Sequence, residues 1–189
     1  VRETDNLVVL DDSIVRGTTL QQSILKILSR TRPRRIIIAS TAPQIRYPDC
    51  YGIDMSELGK FIAFRAAIRL LERSGRERLI RDLYEECRRE ITKPPGSMAN
   101  VVQRLYAPFA DEELSSEISR MVYPDVPWWR GEVRVLFQTI ANLRASLDPG
   151  GGDWYFTGNY PTPGGTAVAN RAFVAYCEKL SGRTYDLLF

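Results

Sequence analysis

Residues 7–19 have the sequence LVVLDDSIVRGTT, and this stretch decides the fold. Four consecutive apolar residues at 7–10 are typical of a strand that is buried in a parallel sheet. Two carboxylates, Asp11 and Asp12, follow where that strand ends, and a turn with one glycine then leads into an amphipathic helix. This order predicts an α/β fold with a sugar-phosphate site at the end of the strand.

The acid pair, Asp11 and Asp12, suits the hydroxyl groups of a ribose. Successive residues at a strand end point in different directions, so one carboxylate can face a ligand while the other orients the loop or a divalent cation. The alternative is that both aspartates are solvated loop residues, which are common at strand ends.

The turn that follows suits a phosphate group. Gly17 permits a backbone conformation that other residues resist, so successive N–H groups can point at an anion. Thr18 or Thr19 is expected to cap the next helix, whose positive end attracts the same anion. Arg16 either contacts the phosphate or pairs with a carboxylate elsewhere. The predicted phosphate-binding residues are Val15, Arg16, Gly17, Thr18 and Thr19.

Two later segments extend the pattern. Residues 36–40, IIIAS, predict a second buried strand, which runs into APQIRYPDCYGIDM at 42–55, and YFTGNYP lies at 155–161. Together with residues 7–19, these segments closely resemble the glutamine phosphoribosylpyrophosphate amidotransferases, whose transferase domain has the type I phosphoribosyltransferase fold. The resemblance covers about residues 5–85 and 153–182.

The resemblance implies an organisation for the chain. Residues 1–85 are expected to form the C-terminal part of a type I phosphoribosyltransferase sheet, residues 86–152 a helical insertion, and residues 153–189 a family-like loop and helix, so that the C-terminal region is mostly α-helical. The family's glutaminase domain and upstream phosphoribosyltransferase segments precede the acid pair. We therefore expect a piece of a longer protein that is inactive alone.

The resemblance also implies a function. Family members form 5-phosphoribosylamine from phosphoribosylpyrophosphate and glutamine-derived ammonia in cytoplasmic de novo purine synthesis. Asp11 and Asp12 would hold the ribose hydroxyls and Mg²⁺, the turn at 15–19 would hold the 5′-phosphate, and no residue of this chain is assigned a catalytic role. The alternatives are a salvage-type nucleobase phosphoribosyltransferase, which shares only the acid pair and the turn, and a non-catalytic nucleotide-sensing or assembly module.

The cysteines bear on cofactors. Some family members hold an iron–sulfur cluster with cysteines at the positions of Asp49, Gly152 and Tyr155, none of which is a thiolate here, so no cluster is expected. The three cysteines, Cys50, Cys87 and Cys177, are expected to be small buried hydrophobic residues in a reduced protein. The chain has no histidine, which excludes histidine-ligated zinc and a histidine-assisted nucleophile.

Composition excludes several partners. The net charge of the 189 residues is only +3, and the basic cluster at 30–35 lacks interleaved aromatic residues, which favours a solvated turn over a nucleic-acid site. No apolar run approaches twenty residues, so no membrane span is predicted. The two predicted strands are apolar on both faces, and exposed apolar faces favour a homo-oligomer.

Helical spacing predicts most of the remaining structure. The aromatic residues Trp128 and Trp129 either form a partner surface or fill a groove in the protein's own core. A flexible break is predicted at 149–152. Helices are predicted over about 56–73, 76–91, 98–106, 111–121, 132–147 and 166–180.

Overall fold

Three parallel strands form one sheet in the order β1 (Asn6–Asp11), β2 (Arg35–Ser40) and β3 (Glu132–Phe137). The computed structural model describes residues 1–53, 55–147 and 152–184. The register aligns Asp11 with Ser40 and Ser40 with Phe137, so all three strands end along the same edge. The predicted α/β class and the predicted parallel strands at 7–10 and 36–40 are confirmed.

Helices make up most of the other regular structure. The helix after β1 is π-helical over Leu20–Leu25, α-helical over Lys26–Leu28 (α1) and 3₁₀-helical over Ser29–Thr31, and further 3₁₀ turns lie at Leu58–Lys60 and Pro95–Ser97. The other described α-helices are α2 (Ile62–Arg73), α3 (Arg78–Glu90), α4 (Gln103–Tyr106), α5 (Asp111–Met121), α6 (Ile140–Ser146), α7 (Trp154–Thr157) and α8 (Pro163–Cys177). No helix in the described ranges is long and apolar enough to span a bilayer.

The chain divides into two compact units. Described residues within 1–45 and 111–149 form the sheet unit, and those within 46–110 and 150–189 form the helical unit. In the sheet unit, Trp129 is buried, stacks on Tyr123 and donates a 2.7 Å hydrogen bond to the carbonyl of Pro33. Trp129 therefore fills the unit's own core, one of the two roles considered for the aromatic pair. The helical unit is centred on Phe64, which meets the Tyr176 ring edge-on at 4.7 Å.

The two faces of the sheet are unequal. The face that carries Ile36, Ile38 and Val135 is buried. On the other face, Val8 and Leu10 of β1 are 62% and 75% exposed. One apolar face of β1 is thus uncovered, as its sequence predicted.

The predicted helix over 132–147 is wrong at its start. Val133 and Val135 point inward and alternate with exposed Glu132 and Arg134, the period of two that a strand requires. The same apolar residues also fit helical spacing, and pairing with β2 selects the strand over the helix. Within the predicted helix over 132–147, only α6 (Ile140–Ser146) is helical. The stretch 86–152 also contains α4 and α5, but β3 pairs with β2, so this stretch is not helical throughout.

The helix after β1 also differs from its prediction. In a regular amphipathic α-helix the buried face would carry Leu20, Ile24, Ile27 and Leu28, yet Ile27 is 60% exposed and Leu25 is fully buried. The cause is the π-helical segment, whose i→i+5 turn places Leu25 in phase with Leu20. The predicted threonine cap is absent too, since Thr19 makes no side-chain capping bond.

Most other predicted helices are confirmed with small shifts at their ends, whereas the one predicted at 98–106 is helical only over Gln103–Tyr106. The helix predicted at 111–121 matches α5, and the one predicted at 56–73 begins as a 3₁₀ turn at Leu58–Lys60 before α2. Gly75, with φ of +68°, follows the end of α2. Most of the predicted break at 149–152 lies outside the described residues.

Candidate functional site

The acid pair is fixed by hydrogen bonds to the segment that follows β2. Thr41 donates from its N–H to the carbonyl of Asp11 (2.9 Å), and Ala42 donates to the carbonyl of Asp12 (3.0 Å). Ser40 donates from its hydroxyl to the carbonyl of Ala42, which holds that segment in turn (2.9 Å). Sequence reasoning missed these contacts, although adjacent parallel strands that end at one edge would bring the segments together.

The two carboxylates have different environments. Asp11 is half-buried and Asp12 is exposed, with its Oδ1 accepting a 2.7 Å hydrogen bond from the N–H of Ser13. Burial raises the pKa of Asp11, and the neighbouring charge of Asp12 raises it further. A bound cation would relieve both effects. Within the described ranges, no group of three or more His, Cys, Asp or Glu residues could hold a metal, so a cation here would need oxygens from a ligand or water.

The turn after the acid pair presents unpaired backbone donors. Buried Ile14 anchors its start, and Gly17 takes a φ of +71°, a left-handed conformation that favours glycine. The helix begins where Gln21 donates from its N–H to the carbonyl of Gly17 (3.0 Å). Clustered N–H groups of this kind form an anion site. The backbone N–H groups that donate to no other described residue are those of Val15, Gly17, Thr18 and Thr19.

The side chains of the turn face outward. Arg16, Thr18 and Thr19 are exposed, so their side chains can reach a ligand beside the backbone donors. The structure therefore brings backbone N–H groups, hydroxyl groups and a guanidinium together within five consecutive residues of the sheet unit. Such a set can bind an oxyanion without any metal.

In the helical unit, Asp49 closes its own loop. Its Oδ1 accepts hydrogen bonds from the N–H groups of Tyr51 (2.7 Å), Gly52 (2.7 Å) and Ile53 (3.4 Å), and its Oδ2 accepts one from Met55 (2.9 Å). Burial acts to raise the pKa of Asp49, but these four donors outweigh it and leave the pKa below its usual value. The residue at the position of a cluster-binding cysteine is thus a structural carboxylate here.

The segments at 42–55 and 155–161 meet in the helical unit, although about a hundred residues separate them. The carbonyl of Tyr155 accepts hydrogen bonds from the N–H groups of Arg46 (2.8 Å) and Tyr47 (3.1 Å). Tyr160 donates from its hydroxyl to the carbonyl of Pro48 (2.8 Å). Gly158 has a φ of +74°, and a Cβ there would come within 3.0 Å of the Tyr47 ring. The resemblance grouped these segments, but no local pattern predicted their contact.

All three cysteines are free thiols. Cys87 is fully buried, and burial raises its pKa to about 12. Cys177 is half-buried, and burial raises its pKa to about 11. The expectation of buried thiols therefore holds for Cys87, while Cys50 and Cys177 keep partial exposure.

The chain is similar to several amidophosphoribosyltransferases. It is 43% identical to that of Haemophilus influenzae over 76 residues, which are 40% of this chain and 15% of the relative. It is 45% identical to that of Escherichia coli over 58 residues (31% and 11%), and 38% identical to that of Saccharomyces cerevisiae over 93 residues (46% and 18%). The predicted resemblance is confirmed.

These similarities cover a small part of each relative. The chain spans less than a fifth of the length of the curated relatives it matches. No protein-family model matches the chain, and no solved structure matches it significantly.

Proposed function

We propose that this chain forms the ribose and 5′-phosphate part of the phosphoribosylpyrophosphate site of an amidophosphoribosyltransferase. The whole enzyme would make 5-phosphoribosylamine with glutamine-derived ammonia in cytoplasmic purine synthesis. The observation that carries the proposal is an acid pair fixed at the carboxyl edge of a parallel sheet, followed by a turn in which the N–H groups of Val15, Gly17, Thr18 and Thr19 donate to no described residue. The names of the similar proteins favour this function over a salvage enzyme or a non-catalytic module.

Each group of the sugar phosphate has a matching group in the sheet unit. The carboxylates of Asp11 and Asp12 would accept hydrogen bonds from the ribose 2- and 3-hydroxyls. The backbone donors of Val15–Thr19 and the hydroxyl of Thr18 would hold the 5′-phosphate. Arg16 is exposed beside them, and its guanidinium would add charge to the same phosphate.

The acid pair fits a magnesium ion. Mg²⁺ is held by one or two carboxylates together with water and substrate phosphates, and the two adjacent carboxylates of Asp11 and Asp12 supply the negative charge that it requires. When bound, the ion would offset the charge of the pyrophosphate leaving group. Asp11 and Asp12 would hold it at the ribose hydroxyls.

The contribution of this chain to the reaction is positioning. Displacement of pyrophosphate at C1 passes through an oxocarbenium-like state, and fixing the ribose and the 5′-phosphate aligns C1 with the attacking ammonia. No described residue of the acid pair or the turn is required to accept a proton. We place the glutaminase and the pyrophosphate-binding segments in the remaining part of the polypeptide.

We also propose that the protein is a homo-oligomer. The exposed apolar side chains of Val8, Leu10 and Leu136 form one face of the sheet, and parallel sheets are normally covered on both faces. Light scattering should show a particle larger than 21.5 kDa at micromolar concentration. A Val8→Lys variant should shift the mass towards the monomer, and a stable monomer of the unmodified chain would contradict the proposal.

The binding site is tested by calorimetry with phosphoribosylpyrophosphate and Mg²⁺. The Asp11→Asn, Asp12→Asn double variant should lose at least about tenfold in affinity, since each ribose hydroxyl loses a charged acceptor. Asp125→Asn, an exposed aspartate of the same unit, is the matched control and should bind like the unmodified chain. Equal affinity in the double variant would refute the assigned roles.

A further inference from the structure

A polar cavity lies beside β3 in the sheet unit. Its volume is about 650 Å³, and it opens between α5 and the first half of β3. Among the described strands β3 pairs only with β2, so its other edge faces this cavity. The cavity is therefore lined by the backbone of an open strand edge.

Beside the cavity, the backbone N–H of Val133 has no acceptor among the described residues. Glu132 and Gln138 donate from their N–H groups towards β2, so the alternation of a strand turns the N–H groups of Val133 and Val135 towards the open edge. Val135 donates to Oγ of Ser119 on α5 (2.8 Å). The N–H of Val133 donates to no other described residue, although Val133 is only 8% exposed. Because this N–H lies at the edge that lines the cavity, its acceptor comes from solvent or from a ligand that enters the cavity.

The charge around this donor is positive. Three arginines, Arg120, Arg130 and Arg134, line the cavity. Arg120 is paired with Glu117 at 3.0 Å, whereas Arg134 forms no ion pair within the described ranges. The only carboxylate in the lining, Glu132, is already bound to Arg35 at 2.7 Å.

The guanidinium of Arg130 is held in place by the chain itself. One of its terminal nitrogens donates to the carbonyls of Val126 (2.6 Å) and Trp129 (2.9 Å). Its other guanidinium nitrogens donate to no described residue. A positioned guanidinium loses little entropy on binding an oxyanion, which makes Arg130 a suitable anchor.

The edge is too interrupted for an added strand. Tyr123 donates from its hydroxyl to the carbonyl of Gly131 (3.1 Å), and Ser119 occupies the N–H of Val135, so the groups on both sides of Val133 are taken. One free donor between two capped positions cannot support a ladder of hydrogen bonds to a peptide. It can meet one oxygen of a compact anion.

We propose that the cavity between α5 and β3 binds a phosphate group, with the N–H of Val133 and the guanidinium groups of Arg130 and Arg134 as its donors. Guanidinium and backbone N–H groups together match the several oxygens of a phosphate dianion. The site is separate from the acid pair. Val133 lies four residues before Phe137, the β3 residue in register with Asp11, so the site is two strands away from Asp11 and about 13 Å back along the strand direction, at ~3.3 Å for each residue.

Amide spectra of the full chain labelled with ¹⁵N-valine test this proposal, because Val133 and Val15 report on the two sites separately. Inorganic phosphate is titrated at constant ionic strength against chloride. The Val133 amide should shift and saturate, and Arg134→Gln should raise its dissociation constant at least about tenfold without changing the response of Val15. Arg134→Lys, which keeps the charge, should weaken binding less.

Two controls complete the experiment. Arg78→Gln removes an exposed arginine of the helical unit and should leave the Val133 titration unchanged. The Val135 amide, which is held by Ser119, should remain slow to exchange with solvent in every variant if the edge remains folded. The proposal is overturned if phosphate moves only Val15, or if the Val133 titration is the same in Arg134→Gln as in the unmodified chain.

Discussion

The turn at Val15–Thr19 and the loop that begins at Asp49 have similar backbone geometry, but they differ in whether a side chain of the chain accepts their N–H groups. Each gathers several N–H groups, and each contains a glycine in the left-handed region, Gly17 at +71° and Gly52 at +73°. In the loop, the carboxylate of Asp49 accepts four of the N–H groups. In the turn, the N–H groups of Val15, Gly17, Thr18 and Thr19 donate to no described residue. The loop is therefore structural, whereas we propose that the turn is a ligand site.

The carboxylates of Asp49 and Asp11 also differ in how the fold treats their charge. Asp49 is stabilised as an anion, which lowers its pKa. Asp11 is destabilised as an anion by burial and by Asp12, which raises its pKa. Functional sites commonly hold charges that the fold alone does not favour, because a bound ligand stabilises those charges.

Removing the internal anion should have the largest effect on stability. Asp49→Ala leaves four N–H groups of a partly buried loop without their acceptor and should lower the free energy of unfolding by about 3 kcal/mol, since hydrogen bonds to a charged group are worth about 1.5–3 kcal/mol. Urea denaturation measures this as a lower midpoint at an unchanged slope. Asp82→Ala, an exposed aspartate on α3, is the control and should change stability by less than about 0.5 kcal/mol. Equal effects of the two substitutions would contradict the structural role of Asp49.

The two glycines provide a sharper test of the comparison. Gly17→Ala and Gly52→Ala each force a side chain into the left-handed region and should each cost about 1–2 kcal/mol in urea denaturation. Only Gly17→Ala should also weaken the binding of phosphoribosylpyrophosphate in calorimetry, because only that turn is proposed to meet a ligand. If Gly52→Ala weakened binding as much, the distinction between the two turns would be lost.

Much of the sheet unit could be predicted from the sequence, since its signals are local. Four apolar residues followed by Asp11 and Asp12 identified both the end of β1 and the candidate site. The stretch at 132–137 could not be assigned in the same way, because its alternation of Glu132, Val133 and Arg134 is short and its apolar residues also fit a helix. Pairing with β2, a contact across about a hundred residues, selects the strand.

The role of Asp49 could not be predicted for a different reason. An aspartate in a loop fits any turn, and the direction of four N–H groups depends on backbone angles that the sequence does not specify locally. The same limit applies to the cap expected from Thr18 or Thr19, because the π-helical start of the following helix leaves Thr19 without a capping bond. Motifs located the candidate segments, whereas tertiary contacts determine which of their polar groups remain available to bind a ligand.

The smallest expected effect is a pH dependence of opposite sign at the two carboxylates. The lowered pKa of Asp49 contributes stability that is present above its unfolded pKa, about 3.9, and is lost as the pH falls through the lower folded value. The raised pKa of Asp11 acts in reverse, because its contribution is present below the unfolded pKa and is lost as the pH rises through the folded value. At pH 7, Asp11→Asn should therefore raise the melting temperature by about 1–2 °C, which corresponds to about 0.5 kcal/mol for a half-buried group in a chain of this size. Asp49→Asn should lower it, and both differences should shrink at pH 3. A lower melting temperature of Asp11→Asn at pH 7 would mean that the fold itself uses this carboxylate, and the acid pair would then lose its main distinction from Asp49.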